Sequence, residues 1–168
     1  MDHFSLRQIL PEDIDRLLEI ADESGLSPWS RQNLVGEMSR DDAIMIVAAT
    51  KADLVEGFII GRLTLGNGND RPFEAEIYNI AVRKRSRRVG VGKMLLNAFI
   101  DRSRSANAGR IWLEVRLSNI GAIAFYERVG FAAASTRPDF YTNPVEDAVV
   151  MRLELAKIDG LVINSNKA

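Results

Sequence analysis

The sequence has no cysteine and a single histidine, His3. Without cysteine there can be no disulfide, no thiolate nucleophile and no Cys-based metal site. With one histidine, beside the first residues, a zinc centre or a Ser-His-Asp triad is nearly excluded. No metal is therefore expected, and proton transfer falls to Glu, Asp, Tyr or Lys. Long apolar runs are also missing: none approaches the roughly 18 residues of a membrane helix. The opening stretch MDHFSLRQIL lacks a basic region followed by an apolar core, so it is not read as a secretion signal. A cytoplasmic protein with no membrane partner is the expectation. The formal net charge of −1 provides no global field to gather nucleic acid, and direct nucleic-acid binding is not expected.

What is present suits one soluble domain with a real core: 168 residues, 46% hydrophobic and 27% charged. Residues 1–155 are assigned to that domain. Residues 156–168, of weak periodicity, are assigned to a flexible C-terminal tail.

Residues 4–10 read as a strand, after which Pro11-Glu12-Asp13 opens a helix. Proline suits a first helical turn, and acids suit the positive end of the dipole. Ile14, Leu17, Leu18 and Ala21 form one apolar stripe, and Gly25 ends it. Ser30 is placed to cap a second helix carrying Leu34, Val35 and Met38, with Trp29 before it as a core or lid residue. Residues 43–50, 54–65 and 73–82 then read as three consecutive strands, with turn chemistry at 51–53 and 66–70. The apolar run 77–82 implies burial on both faces and a central place in the sheet.

Residues 93–104 show helical spacing, with Leu95, Leu96, Phe99 and Ile100 as a core face. Strand 110–117 follows Gly109, and a right-handed crossover makes it parallel to strand 73–82. Ser118-Asn119 caps a short helix that Gly130 closes. Residues 131–136 and 147–155 suggest a closing hairpin, with a long loop at 137–146. The result is one mixed α/β domain.

The central stretch, I-Y-N-I-A-V-R-K-R-S-R-R-V-G-V-G over residues 77–92, joins a strand to a basic, glycine-bearing loop and a helix start. Arg87, Gly90 and Gly92 fit the pattern Arg/Gln-x-x-Gly-x-Gly/Ala. Such a loop brings free backbone N–H groups and the helix dipole toward phosphate oxygens. On its own it is either a phosphate site or a basic surface turn. It is not a Walker loop, and the three-glycine Rossmann fingerprint is missing.

Together with I-W-L-E-V-R over 111–116, L-S-N over 117–119, A-I-A-F-Y-E over 122–127 and Gly130-Phe131, this stretch closely resembles the GNAT acetyltransferase superfamily. More narrowly it resembles the RimI type, which acetylates the N-terminal alanine of a ribosomal protein. The segment D-F-Y-T-N-P followed by E-D-A-V-V-M, and P-W-S near residue 28, are similar to that type as well. The resemblance is strong over residues 76–151 and looser before. It implies a mixed, mostly antiparallel central sheet flanked by about four helices, with a parallel strand pair at an acetyl-CoA site.

The resemblance further implies roles for individual residues. Ile80, Ala81 and Val82 would offer backbone groups to the pantetheine arm. Arg88, Val89, Gly90, Val91, Gly92 and Lys93 would cradle the pyrophosphate, with Arg87 at the first motif position. Asn119 would bond the cofactor near its thioester. Glu114 matches the general base, Tyr126 the general acid, and Tyr141 a tyrosine near the acceptor peptide. The run Arg83-Lys84-Arg85 stands where many relatives carry an acidic or proline-bearing turn, and its charge would favour the 3′-phosphate. The implied acceptor partner is a protein N-terminus, with a small amine, or CoA binding without catalysis, as alternatives.

Elementary chemistry agrees with these roles. Acetyl transfer needs a neutral nitrogen, and an α-amino group has a pKa of roughly 7.7–8.0. A carboxylate can remove its proton, and a phenol can protonate the departing thiolate. Glu114 is a charge in an apolar strand, which demands a purpose or a partner. Arg116 or Arg110 could be that partner, and Tyr126 could equally be a core tyrosine.

Overall fold

A computed structural model describes residues 3–26, 29–64 and 73–155. Strand β1 (Ser5–Gln8) leads through a 3-10 turn (Pro11–Asp13) into α1 (Ile14–Glu23), and α2 (Arg31–Met38) follows. Strands β2 (Ala43–Ala49), β3 (Val55–Thr64) and β4 (Glu74–Val82) come next, then a second 3-10 turn (Lys84–Ser86) and α3 (Val91–Ser105). Strand β5 (Arg110–Arg116), helix α4 (Ile120–Val129) and strands β6 (Ala132–Thr142) and β7 (Val145–Glu154) complete the order.

All seven strands join one sheet in the order β1-β2-β3-β4-β5-β7-β6, with β4 at its centre. Every neighbouring pair is antiparallel except β4 and β5, which are parallel as the crossover through α3 requires. One face packs against α3 and α4 through Ile59, Ala75, Ile77, Leu95, Leu96, Phe99, Ile111 and Leu113. The opposite face packs against α1 and α2 through Ile14, Leu17, Ile20, Leu34, Met45, Val47 and Phe58. The turn at 66–70 and the tail at 156–168 lie outside the described residues.

Local chemistry fixes the ends of the elements. Ser30 Oγ accepts from the N–H of Asn33 at 3.0 Å and caps α2. Gly25 and Gly130, at φ 65° and 107°, end α1 and α4. Helix α2 departs from the expected stripe. Leu34 is buried, but Val35 is exposed and Glu37 takes the inward position, where both its carboxylate oxygens accept from Arg62. Trp29 packs on Tyr78, with ring centroids 6.4 Å apart.

The closing hairpin differs more. In place of a long loop over 137–146, β6 continues to Thr142 and turns at once, through Asn143 and a cis Pro144, into β7. Pro138 and Asp139 lie in a break in register between Arg137 and Tyr141. Asp139, at φ 50°, donates its N–H to Asp147 Oδ1 at 2.9 Å, which keeps the two strands together. Tyr141 therefore stands on a strand.

Candidate active site

The parallel pairing of β4 and β5 covers only Glu74–Ile77 against Arg110–Leu113. Beyond it β4 stays with β3 and β5 stays with β7, so the two strands part. Past Ile77, β4 has no partner strand on its β5 side among the described residues. Ile80 and Val82 turn their backbone groups to that open edge, where an extended chain can take them, whereas Ala81, between them, pairs with Phe58 of β3. A bulge starts the parting. Pairing with β3 steps from Asn79 opposite Ile60 to Ile77 opposite Gly61, leaving Tyr78 as the extra residue. A Cβ at Gly61 would collide with the Glu76 carbonyl oxygen and approach the Phe99 ring to 2.7 Å, so only glycine fits there.

The glycine loop starts α3 at the end of this edge. Gly90 is its N-cap at φ 98°, a backbone conformation that suits glycine. The first helical bond runs from Met94 N–H to Gly90 O at 3.0 Å. The N–H groups of Val91, Gly92 and Lys93 thus have no acceptor within the helix. Arg88, Val89, Gly90 and Lys93 are exposed. Arg87 is not aimed at the loop mouth: its Nε donates to Val82 O at 2.8 Å and its Nη2 to Ser24 Oγ at 3.1 Å. Gly92 is less demanding than Gly90, since a Cβ there would make ordinary contacts with Phe125 and Val82. Free N–H groups, an open strand edge and two exposed cations suit a phosphate-bearing cofactor with an extended arm.

The far strand brings the proposed chemical residues together. Glu114 on β5 is paired neither with Arg116 nor with Arg110. Its carboxylate accepts from Arg137 on β6, while Arg116 pairs with Glu146 at 3.0 Å. Tyr141 stacks beneath the Arg116 guanidinium, 4.1 Å from ring centroid to cation. Burial, then the charge of Glu114, raises the Tyr141 phenol above its usual range. Tyr126 on α4 is 7% exposed, with its ring against Phe125 and Phe131. Burial, then Tyr141, holds its phenol well above the ordinary tyrosine range, so it stays protonated. Asn119 is the exposed N-cap of α4, its Oδ1 accepting from Ala122 N–H at 3.2 Å. The charge of Glu114 thus acts on Tyr141, and Tyr141 acts on Tyr126.

Glu76 escaped the sequence reading. It sits on β4 opposite Arg62 of β3, half-buried, with no hydrogen-bond partner among the described residues. Burial, and secondarily Glu114, raises its pKa above the ordinary glutamate value, while Arg137 and Arg62 oppose that rise. The signal that singled out Glu114, a carboxylate in an apolar strand, also marked Glu76. Arg62 and Arg137 carried no comparable signal. Arg62 reaches from the buried Glu37 to the face of Tyr78, 5.5 Å from its ring centroid.

A bulged central strand parting from a parallel neighbour, with a glycine loop at its end, is the framework of an acetyl-CoA-dependent N-acetyltransferase. The model of the Acetyltransferase (GNAT) family matches residues 13–131, and the chain belongs to that family. It is 32% identical over 146 residues to the [ribosomal protein bS18]-alanine N-acetyltransferase of Salmonella typhimurium, covering 86% of this chain and 93% of that protein. The crystal structure of the ribosomal-protein-S18-alanine N-acetyltransferase from Escherichia coli superposes with a TM-score of 0.78 at 28% identity, covering 94% of this chain and 99% of that one. Ard1 from Thermoplasma volcanium gives 0.79 at 28% identity, covering 91% and 98%.

Proposed function

We propose that this enzyme transfers acetyl from acetyl-CoA to the α-amino group of an N-terminal alanine on a small-subunit ribosomal protein, directly, in a ternary complex. The observation that carries the reading is the grouping of Glu114, Tyr141 and a buried, protonated Tyr126 beside the parting of β4 and β5. The Salmonella and Escherichia relatives named above supply the acceptor class.

When bound, acetyl-CoA supplies an activated thioester carbonyl. The N–H groups of Val91, Gly92 and Lys93, with Arg88 and Lys93 side chains, hold its phosphates, and the edge of Ile80 and Val82 orients the arm. Asn119 steers the thioester end. Glu114, oriented by Arg137, takes the proton from the attacking amine as the N–C bond forms. As the C–S bond broke, the Tyr126 hydroxyl would be the acid that hydrogen-bonds to the departing sulfur and supplies its proton. Tyr141 lines the acceptor side. With no cysteine available, direct transfer is favoured over an acyl-enzyme.

The test is acetyl-CoA with short peptides differing in the first residue, and small amines as controls, read by mass spectrometry. Acetylation of the α-amino group of Ala-initiated peptides is expected. Turnover confined to small amines would overturn the reading.

A further inference from the structure

The basic run after β4 would, on sequence alone, face the cofactor's phosphates. The structure instead ties Arg83 and Arg85 of that run to two carboxylates, Glu23 and Glu56. Glu56, on β3, is 1% exposed. Its carboxylate accepts from both Nε and Nη2 of Arg85, the former at 2.9 Å. It also accepts from Ser86 Oγ at 2.8 Å, and Arg16 of α1 lies 3.8 Å away. Its backbone carbonyl accepts from Arg83 N–H at 2.8 Å. Glu23, at the end of α1, accepts from Lys84 N–H at 2.7 Å and from Arg83 Nε at 3.2 Å. Arg87 completes the fastening on Val82 O and Ser24 Oγ.

Residues 83–87 are thus bolted to β3, α1 and β4 immediately before the chain swings through Arg88 and Gly90, at φ 63° and 98°. A buried carboxylate is costly unless its partners are complete. An apolar residue at position 56 would fill space but could not fix a direction. The two-pronged bond from Arg85 does fix one, and with it the start of α3.

We propose that Glu56 is a positioning residue for acetyl-CoA. Through Arg85 and Ser86 it sets the height of the glycine loop against the β4 edge, so that one cofactor spans both. Arg88 and Lys93, exposed and without an ion-pair partner among the described residues, are the side-chain charges that the loop and the first turn of α3 offer to the phosphates. Glu56 does not touch the cofactor. This inference rests on the reading of 88–93 as the phosphate cradle.

The experiment measures KM for acetyl-CoA, KM for the acceptor, kcat and Tm for Glu56→Gln, Arg85→Gln, Ser86→Ala and Arg88→Ala. Glu56→Gln and Arg85→Gln should each raise KM for acetyl-CoA about tenfold, equivalent to about 1.4 kcal/mol, with acceptor KM and saturated kcat held. The double variant should be no worse than either single, because both break one link. Ser86→Ala, which keeps the ion pair and serves if Glu56→Gln does not fold, should raise it about threefold. A lowered Tm with unchanged KM for acetyl-CoA in Arg85→Gln and Ser86→Ala would reduce Glu56 to a purely structural role. Arg88→Ala separates the two levels. If it also leaves acetyl-CoA binding intact, the cradle reading fails; if it alone weakens binding, only the role of Glu56 fails.

Discussion

Arg137 of β6 reaches across β7 to close an ion pair with Glu114 of β5. The arginine is 56% exposed on its side chain and the carboxylate 20%, so the pair orients Glu114 more than it stabilises the fold. Exposed pairs contribute about 0–1 kcal/mol. Arg137→Ala should therefore leave Tm nearly unchanged and lower kcat about tenfold, a barrier increase of about 1.4 kcal/mol. KM for acetyl-CoA should hold. Steady-state kinetics beside thermal unfolding check this, and an unimpaired kcat would remove Arg137 from the mechanism.

That pair also shows where the sequence was legible and where it was not. Periodicity, caps and the crossover rule sufficed for β1 to β5, for α3 with Leu95, Leu96, Phe99 and Ile100 on its core face, and for the parallel pairing of β4 and β5. Ion pairs between distant elements leave no period. Glu56 and Arg85 are separated by 29 positions, and Glu114 and Arg137 by 23. The stretch 137–146 reads in sequence as a long loop between the two strands. The true turn lies at Asn143-Pro144, and a side chain from Asp147 holds the irregular strand in place. Glu76 was readable by the same logic as Glu114, but the apolar run that drew notice begins one residue later, at Ile77.

Glu76 should titrate above an ordinary glutamate. Its causes are burial first and the charge of Glu114 second, with Arg62 and Arg137 acting the other way. A raised pKa means that the proton is held to higher pH than in a solvated carboxyl group. Glu114→Gln removes a like charge and should bring the Glu76 value down. Carboxyl carbon shifts followed by NMR through an acid titration measure both. A Glu76 that titrates at the ordinary value, or fails to respond to Glu114→Gln, would dissolve the coupling between the two carboxylates.

Tyr126 carries a phenol that burial, then Tyr141, holds in its protonated form. An acid that keeps its proton does not switch off in the usual tyrosine range near about 10. The rate should consequently show no alkaline loss attributable to Tyr126 up to that pH. Tyr126→Phe removes the donated proton but little volume. It should lower kcat about a hundredfold, within the usual range for a general acid, while calorimetry finds acetyl-CoA affinity preserved. Wild-type turnover in the phenylalanine variant would return Tyr126 to the core with Phe125 and Phe131.

Gly61 and Gly90 should fail in different ways when given a side chain. At Gly61 a Cβ meets the Glu76 carbonyl oxygen and the Phe99 ring, and Phe99 is fully buried. A backbone oxygen and a core ring cannot simply swing aside, so the β4 bulge must move. Tyr78 would then lose its fit between Trp29 and Arg62. Overpacking of this kind costs about 1–3 kcal/mol, and in a chain of this size each kcal/mol lowers Tm by about 2–4 °C. Gly61→Ala should thus lower Tm and impair turnover of the acceptor. At Gly90 a Cβ meets nothing within 4 Å, but φ is 98°. Gly90→Ala should cost about 1–2 kcal/mol of local strain, released by a shift of the loop, and should appear chiefly as weaker acetyl-CoA binding. Melting curves and calorimetric titration of both variants decide the matter: a Gly61→Ala protein as stable as the parent would mean that the bulge does not depend on that close approach.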